Sequence, residues 1–443
     1  MTTEVAVVGS GAAGLAATYH LHQAGFRVRL FDRNARLGGK MLTTRQDGFV
    51  LEEGPSAMAS TYRSILGIAE GVGMKEQIVP ASGLIAFPDA DGDMHYIDPT
   101  HIVRSGLSTR LISTRSKLQL RSLVVDLWRT RKIRRPDDLS LLEDYDHQSA
   151  EEYSRQRFGD ELTELLIDPC TRSLINCAAS EVSAADLIYV FGAFMGAKGW
   201  FAFRQGMSSY AETVGGLAEQ TLGAEVLEVA ETADEASITW RDAAGAERTD
   251  RYAGVVLATD AHTAGRVHAG LDADRRATLS DVTYTWSTVT HVALERAPDV
   301  KSCFIFPRAS DYPNLVILSL EHNKTPWQAP PGKGLVAIYP SSPHARELFD
   351  EDDDYIAKNL IAEAEALIPG LGDHVEFTHI SRWNPTLLQT RPGYWKAMRR
   401  FTVQSEATDR RVQLAGDYFC PSSLNTASAS GERAARRLIT ALA

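Results

Sequence analysis

The sequence predicts an α/β protein. It has a Rossmann-like dinucleotide-binding domain, and an α+β domain (a mixed sheet plus a helical subdomain) is threaded through its middle. Three observations predict this. The chain opens with a strand, a glycine turn, a helix and a second strand ending on an acid. It closes with an apolar strand ending in Gly416-Asp417, followed by a helix of small residues. Between the two ends lie a long helical stretch and a run of short strands.

The opening unit carries the strongest signal. Residues 5–8, VAVV, are an apolar run suited to a buried parallel strand. Gly9-Ser10-Gly11-Ala12-Ala13-Gly14 follows as a G-x-G-x-x-G turn, and residues 12–24 are helix-forming up to Gly25. Residues 27–31 make a second apolar strand that runs into Asp32 and Arg33. Gly9 serves the tight turn, Gly11 lets the backbone approach a pyrophosphate, and Gly14 lets helix and strand pack closely. The N–H groups at Ala12 and Ala13 and the helix dipole favour phosphate, and Asp32 can accept hydrogen bonds from a ribose. Strand, turn, helix, strand and acid in this order point to an ADP-containing dinucleotide. Arg33 after Asp32 suits NADP, whereas a second glycine pair, Gly38-Gly39, argues against a nicotinamide enzyme.

Composition narrows the class. The 443 residues suffice for about three domain-sized units. A content of 44% hydrophobic and 23% charged residues is that of a globular protein, and the net charge of -11 argues against general nucleic-acid binding. Cys170, Cys177, Cys303 and Cys420 show no C-x-x-C spacing, which predicts reduced thiols and no metal site. The first strand begins almost at Met1, leaving no room for a signal peptide. The most apolar stretch, 187–197, is too short to span a bilayer and suits a buried helix or pocket lining. The expectation is a cytoplasmic protein.

Three motifs together, GSGAAG, then FDRNARLGGK, then FVLEEGPS, resemble the flavin-dependent amine oxidase superfamily. That group includes monoamine oxidases, protoporphyrinogen oxidases and carotenoid desaturases. The resemblance is nearest to the protoporphyrinogen oxidase branch. It implies non-covalent FAD, with Arg36, Gly38, Gly39, Lys40, Gly54, Pro55 and Ser56 at the cofactor. The family usually carries Arg at the Lys40 position; Lys keeps the charge without the bidentate fork. It further implies that Val226 meets the adenine. Gly416, Asp417, Asn425, Thr426 and Ala427 would hold the ribityl, phosphate and pyrimidine parts, the last helix aiming its N-terminus at the flavin.

The domains expected on this basis are discontinuous. Residues 1–80, 205–270 and 395–443 bind FAD, residues 81–100 and 271–394 form the substrate-domain sheet, and 101–204 form the helical subdomain. Residues 118–133 are amphipathic at helical spacing, with Arg129, Arg131, Lys132, Arg134 and Arg135 near their end. Two readings stand: a helix with a solvated face, or peripheral contact with an anionic membrane through 118–135.

FAD carries the redox step in this family, so a small-molecule substrate and O2 or another electron acceptor are expected. Amine oxidases add a lysine on a substrate-domain strand and an aromatic cage. The matching segment Ser287-Thr288-Val289-Thr290-His291-Val292 has no lysine, while Tyr394-Trp395 stand where a cage would be. The balance favours an oxidase or desaturase making a double bond in a lipophilic or cyclic substrate. An amine oxidase, and a non-catalytic carrier of prenylated partners with the same fold, are the alternatives. Candidate reaction-site residues are Tyr394, Trp395, Tyr418 and Met58, the tyrosines as acid or base.

Overall fold

The computed structural model describes residues 3–408 and 410–443. Its centre is a five-stranded parallel sheet in the order Glu219–Leu222, Arg27–Asp32, Glu4–Val8, Val255–Leu257, Val412–Leu414. Strands from the beginning, middle and end of the chain lie side by side. Val5, Ala6, Val7, Val255, Val256 and Leu257 are fully buried, which is why these strands read as unbroken apolar runs.

The helix Ala12–Gln23 packs against the last helix, Leu424–Leu442. The approach is close enough that a Cβ on Gly431 would collide with the carbonyl oxygen of Ala13. An antiparallel meander, Glu225–Glu231, Ala236–Arg241 and Glu247–Tyr252, follows the edge strand, with Trp240 and Tyr252 packed edge-on against Phe31.

The second sheet has seven strands in the order Val375–Trp383, Ser287–Leu294, Gly334–Pro340, Leu315–Leu320, Phe304–Ile305, Ile85–Pro88, Met94–Ile97. It is mixed, because Phe304–Ile305 runs parallel to Ile85–Pro88 while the other pairs are antiparallel. The acid-rich helix Asp353–Ala364 covers one face, burying Ile356, Leu360 and Ala364 with Val292, Leu318 and Ile338. Asp352 caps it by accepting from the Tyr355 N–H.

The helical layer contains Thr114–Thr130, Ala150–Phe158, Asp168–Ile175 and Ala184–Met195. Ser149 and Glu152 form a reciprocal capping box on the second of these. Residues from 395 onward, expected with the FAD-binding domain, first form part of the helix Tyr394–Thr408. It packs on the 3-10 segment Leu139–Tyr145 and on the helix Ala273–Ser280. Trp395 anchors it, fully buried, with Nε1 donating to Asp186 Oδ2 at 2.8 Å. Among the described residues no helix is long and apolar enough to cross a membrane.

Burial pushes the Asp186 carboxyl from its ordinary 3.8 up to about 7, against the pull of the Trp395 and Thr390 hydrogen bonds. Between about pH 4 and 7 the folded chain therefore holds a proton that the unfolded chain has lost, and stability falls as pH rises through that window. Asp186→Asn keeps an acceptor for Trp395 without a titrating charge. It should gain stability over the wild type on going from pH 4 to pH 8, by up to ~4 kcal/mol. Urea midpoints measured across that range test this, and a constant difference would contradict it.

Candidate functional site

The glycine turn sits at the carboxyl ends of the parallel strands. Gly9 has φ +100°, and a Cβ there would collide with Ala258 O; one on Gly14 would collide with Gly9 O. Packing alone therefore demands these two glycines. Gly11 differs. Its φ is -68°, which any residue can adopt, and a Cβ would meet nothing within 4 Å. No side chain caps the helix that starts there. The chain leaves open space and unsatisfied N–H groups at Gly11, which suits a diphosphate.

Asp32 is already engaged. Its Oδ2 accepts from Ser10 N at 2.8 Å and Ser10 Oγ at 2.5 Å. Its Oδ1 accepts from Asn34 N at 2.8 Å and Asn34 Nδ2 at 3.0 Å. Four donors fill the lone-pair sites of a carboxylate. The ribose role expected for Asp32 thus requires a sugar hydroxyl to displace Ser10 Oγ or Asn34 Nδ2. In this structure the carboxylate clamps the turn.

The second glycine pair lies on the first. Gly38 N–H donates to Ser10 O and Ser10 Oγ at 3.1 and 3.2 Å, and a Cβ on Gly39 would sit 3.2 Å from Gly11 Cα. Arg36 Nη1 donates to Gly39 O at 2.8 Å, whereas Arg33 is exposed. Lys40 Nζ donates to Thr386 O and lies 3.7 Å from Asp417 Oδ2. A Cβ on Gly54 would collide with Lys40 O, so the turn Gly54-Pro55-Ser56 joins the same cluster. Val226 opens the meander just past Asp32, whose carbonyl accepts the Ala224 N–H.

At the C-terminal side, Gly416 N–H donates to Ser430 Oγ at 3.1 Å and Asp417 accepts from Ser422 Oγ at 3.1 Å. Two expected contacts change character here. Asn425 Oδ1 accepts from Ser64 N at 2.9 Å, and Thr426 Oγ1 donates to Pro421 O at 2.7 Å. Both side chains tie the helix start to the chain. What they and Ala427 offer a ligand is the helix end itself.

The aromatic candidates are corrected more sharply. Tyr394 and Trp395 pack edge to face on each other, centroids 4.9 Å apart, so they do not flank a gap. Trp395, Tyr418 and Met58 are all fully buried, Met58 within a strand paired to Phe201. Tyr394 is half-buried and spends its hydroxyl proton on Tyr418 O at 2.8 Å.

Sequence reasoning missed the polar core below Gly54–Ser56. There, Lys324 is fully buried, with Nζ 2.5 Å from Glu321 Oε2, 2.7 Å from Ser56 Oγ and 3.3 Å from Ser319 Oγ. The two hydroxyls accept from the ammonium, and the Glu321 carboxylate balances its charge. Beside it, burial raises the Glu53 carboxyl, yet hydrogen bonds from His379, Thr44 and Ser381 outweigh this and hold it down at about 2. Burial leaves the neighbouring Glu52 carboxyl up at about 8, although Thr43 and Met207 N–H bond to it. His291 is buried on the facing strand, its ring 5.9 Å from that of His379, and burial keeps it neutral with a value near 3. The acid pair EE before Gly54 was visible; Ser381, 328 residues from Glu53, and Lys324, 268 residues from Ser56, were not.

Gly11 and Gly14 can be told apart experimentally. Gly11→Ala should fold with stability within about 0.5 kcal/mol of wild type. It should still bind FAD at least ~10-fold more weakly, because the methyl group enters the diphosphate space. Gly14→Ala should lose about 3 kcal/mol of stability through overpacking. Thermal melts of the apoprotein and FAD titration by fluorescence check both; a Gly11→Ala protein that retains FAD like wild type would refute the assignment.

The chain matches the family described as "Flavin containing amine oxidoreductase" over residues 12–439. It is 23% identical to coproporphyrinogen III oxidase of Staphylococcus aureus, with 100% of both chains covered. It is also 30% identical to mitochondrial protoporphyrinogen oxidase of Nicotiana tabacum over 168 residues, 37% of this chain and 31% of that one. Cyclohexylamine oxidase from Brevibacterium oxydans superposes with a TM-score of 0.77 at 13% identity over 99% of each chain, a likeness of fold. The open diphosphate cradle at Gly11, the paired glycine loops and the uncapped helix start at Gly11 all suit FAD. With the family match spanning nearly the whole chain, the protein belongs to the flavin-containing amine oxidoreductases and is an FAD-dependent oxidoreductase.

Proposed function

We propose that this chain oxidises a lipophilic, cyclic substrate, removing a hydride from a C–H bond to create a double bond and passing the electrons to O2 or another acceptor. The supporting observation is an apolar wall. In the helix Ala184–Met195, residues 184–188 are buried, yet every position from Tyr189 to Met195 is only half-buried. These are Tyr189, Val190, Phe191, Gly192, Ala193, Phe194 and Met195, which border open space on an apolar helix. Phe304, Ile317 and Tyr339 on the second sheet are half-buried as well. A wall of this kind takes a large apolar body.

Bound FAD supplies the hydride acceptor. The residues Gly11, Gly39, Arg36, Asp417 and the start of the last helix would hold it. The polar core fixes the Gly54–Ser56 turn from below through Lys324 and Glu53. No lysine stands on Ser287–Leu294, which favours carbon oxidation over amine oxidation. The full-length likeness to a coproporphyrinogen III oxidase makes porphyrinogens the first substrates to try. Cys420 is fully buried with Sγ on Arg135 O, which supports non-covalent FAD.

The helix Thr114–Thr130 carries the membrane reading further. Leu118, Val124, Val125 and Trp128 are exposed on it, Trp128 by 63%, and Leu107 and Ile133 flank them. Arg131 lies over the Trp128 ring at 4.2 Å, and Arg129 and Lys132 are exposed nearby. Apolar side chains ringed by cations fit an anionic bilayer surface.

Two measurements follow. Mixed anaerobically, coproporphyrinogen III should bleach the flavin whereas a panel of primary and secondary amines should not; bleaching by an amine alone would reverse the assignment. Leu118→Glu with Trp128→Glu should reduce cosedimentation with phosphatidylserine-containing vesicles by at least ~10-fold. Equal cosedimentation of variant and wild type would remove the membrane contact.

A further inference from the structure

Arg134 is a half-buried cation to which the chain gives no acid. It lies just past the helix Thr114–Thr130, and its Nη2 donates to Leu127 O at 2.9 Å. Nε is buried without a partner. Among the described residues no carboxylate pairs with it, and the titratable neighbour that favours its charge is the Tyr189 phenol. Burial works against the charge, so holding it there without an anion is unfavourable.

The opposite helix is shaped to receive it. A Cβ on Gly192 would overlap Arg134 Nη1, so the end of the guanidinium rests against the backbone of Ala184–Met195. Gly192 has no positive φ to explain it, and glycine in a helix interior costs ~1 kcal/mol relative to alanine. Its physical reason is the seat it gives Arg134. That seat is on the half of the helix that borders the apolar space, one turn from Tyr189. The next residue, Arg135, accepts from Cys420 Sγ in the segment leading to the last helix. The guanidinium thus stands where the apolar wall meets the FAD-binding domain.

We propose that Arg134, with Tyr189 beside it, forms an anion subsite that receives a carboxylate of the substrate. The subsite rests on the reading of the apolar wall as the substrate site, and it adds a charged end to the lipophilic body. The wall orients the molecule by exclusion from water, and the guanidinium orients it by a charge-assisted hydrogen bond, the stronger of the two constraints on register.

Coproporphyrin III, a macrocyclic tetracarboxylate, and its tetramethyl ester test this on the FAD-loaded protein by tryptophan-fluorescence quenching. Arg134→Gln should weaken the acid by at least ~10-fold while changing the ester by less than about 2-fold. Arg134→Lys should recover part of the loss. Gly192→Ala, whose methyl occupies the guanidinium seat, should reproduce Arg134→Gln without touching the charge. Acid and ester weakened alike, or neither weakened, would overturn the subsite and leave the apolar wall standing. A loss of FAD affinity in Arg134→Gln, with binding of the acid unchanged, would assign the cation to the cofactor and overturn it too. If neither probe binds the wild type, the wall itself is not the substrate site and the subsite falls with it.

Discussion

The structure depends on one close crossing, that of the helix Ala12–Gln23 over the helix Leu424–Leu442. Gly431 lets the second helix touch the Ala13 carbonyl, and Gly14 lets the first touch the turn at Gly9. With both glycines in place, the start of the first helix lies against the last helix, and its first turn at Gly11, which no side chain caps, is suited to an anionic, dinucleotide-sized cofactor. Every other part of the site is placed relative to this crossing. The loop at Gly38-Gly39 lies on Gly11, Lys40 bridges to Asp417 and Thr386, and Gly54 rests on Lys40.

A second layer of order is electrostatic. Between the glycine loops and the seven-stranded sheet the protein buries Glu53 with His379, and Glu321 with Lys324, each pair closed by hydroxyl groups. Buried pairs of this kind add little net stability, since desolvation offsets most of their attraction. They add direction, because hydroxyls on either side hydrogen-bond to the paired groups. Ser56 and Ser381 are held in this way, one on the loop side and one on the sheet side. The seam between the two domains is therefore in register at the turn expected beside the flavin ring.

Much of the fold was legible from local pattern. The apolar runs at 5–8 and 27–31 and the strand ending in Gly416-Asp417 read as strands because parallel strands are buried on both faces, and all three lie in one sheet. The glycine turns were legible because steric demands leave a residue type behind. Roles that depend on partners were not. Asp32 looked like a ribose ligand from its place after the strand; only the coordinates show Ser10 and Asn34 filling its lone pairs. Tyr394 and Trp395 looked like a cage because two adjacent aromatics do in sequence, yet they start a helix and bury against each other and Asp186. Lys324 escaped notice because its motif, EHNK, has no signature, and its meaning comes from Ser56, 268 positions away. The Arg134 seat hid for the same reason, a lone glycine in a helix being silent until its neighbour is known.

The order of strands in the parallel sheet also bears on how the protein is made. Glu4–Val8 leaves the ribosome first, but the strand Val412–Leu414 and the helix that crosses it leave last. For nearly the whole of synthesis the first βαβ unit has its glycine turn without the helix that backs it, and its apolar sheet edge lacks a neighbour. The seven-stranded sheet has its own core and can collapse earlier. Cofactor capture in this topology therefore waits on the closure of contacts far apart in sequence. Until then the nascent chain exposes an unpaired hydrophobic strand edge, the feature by which chaperones and aggregation compete for it.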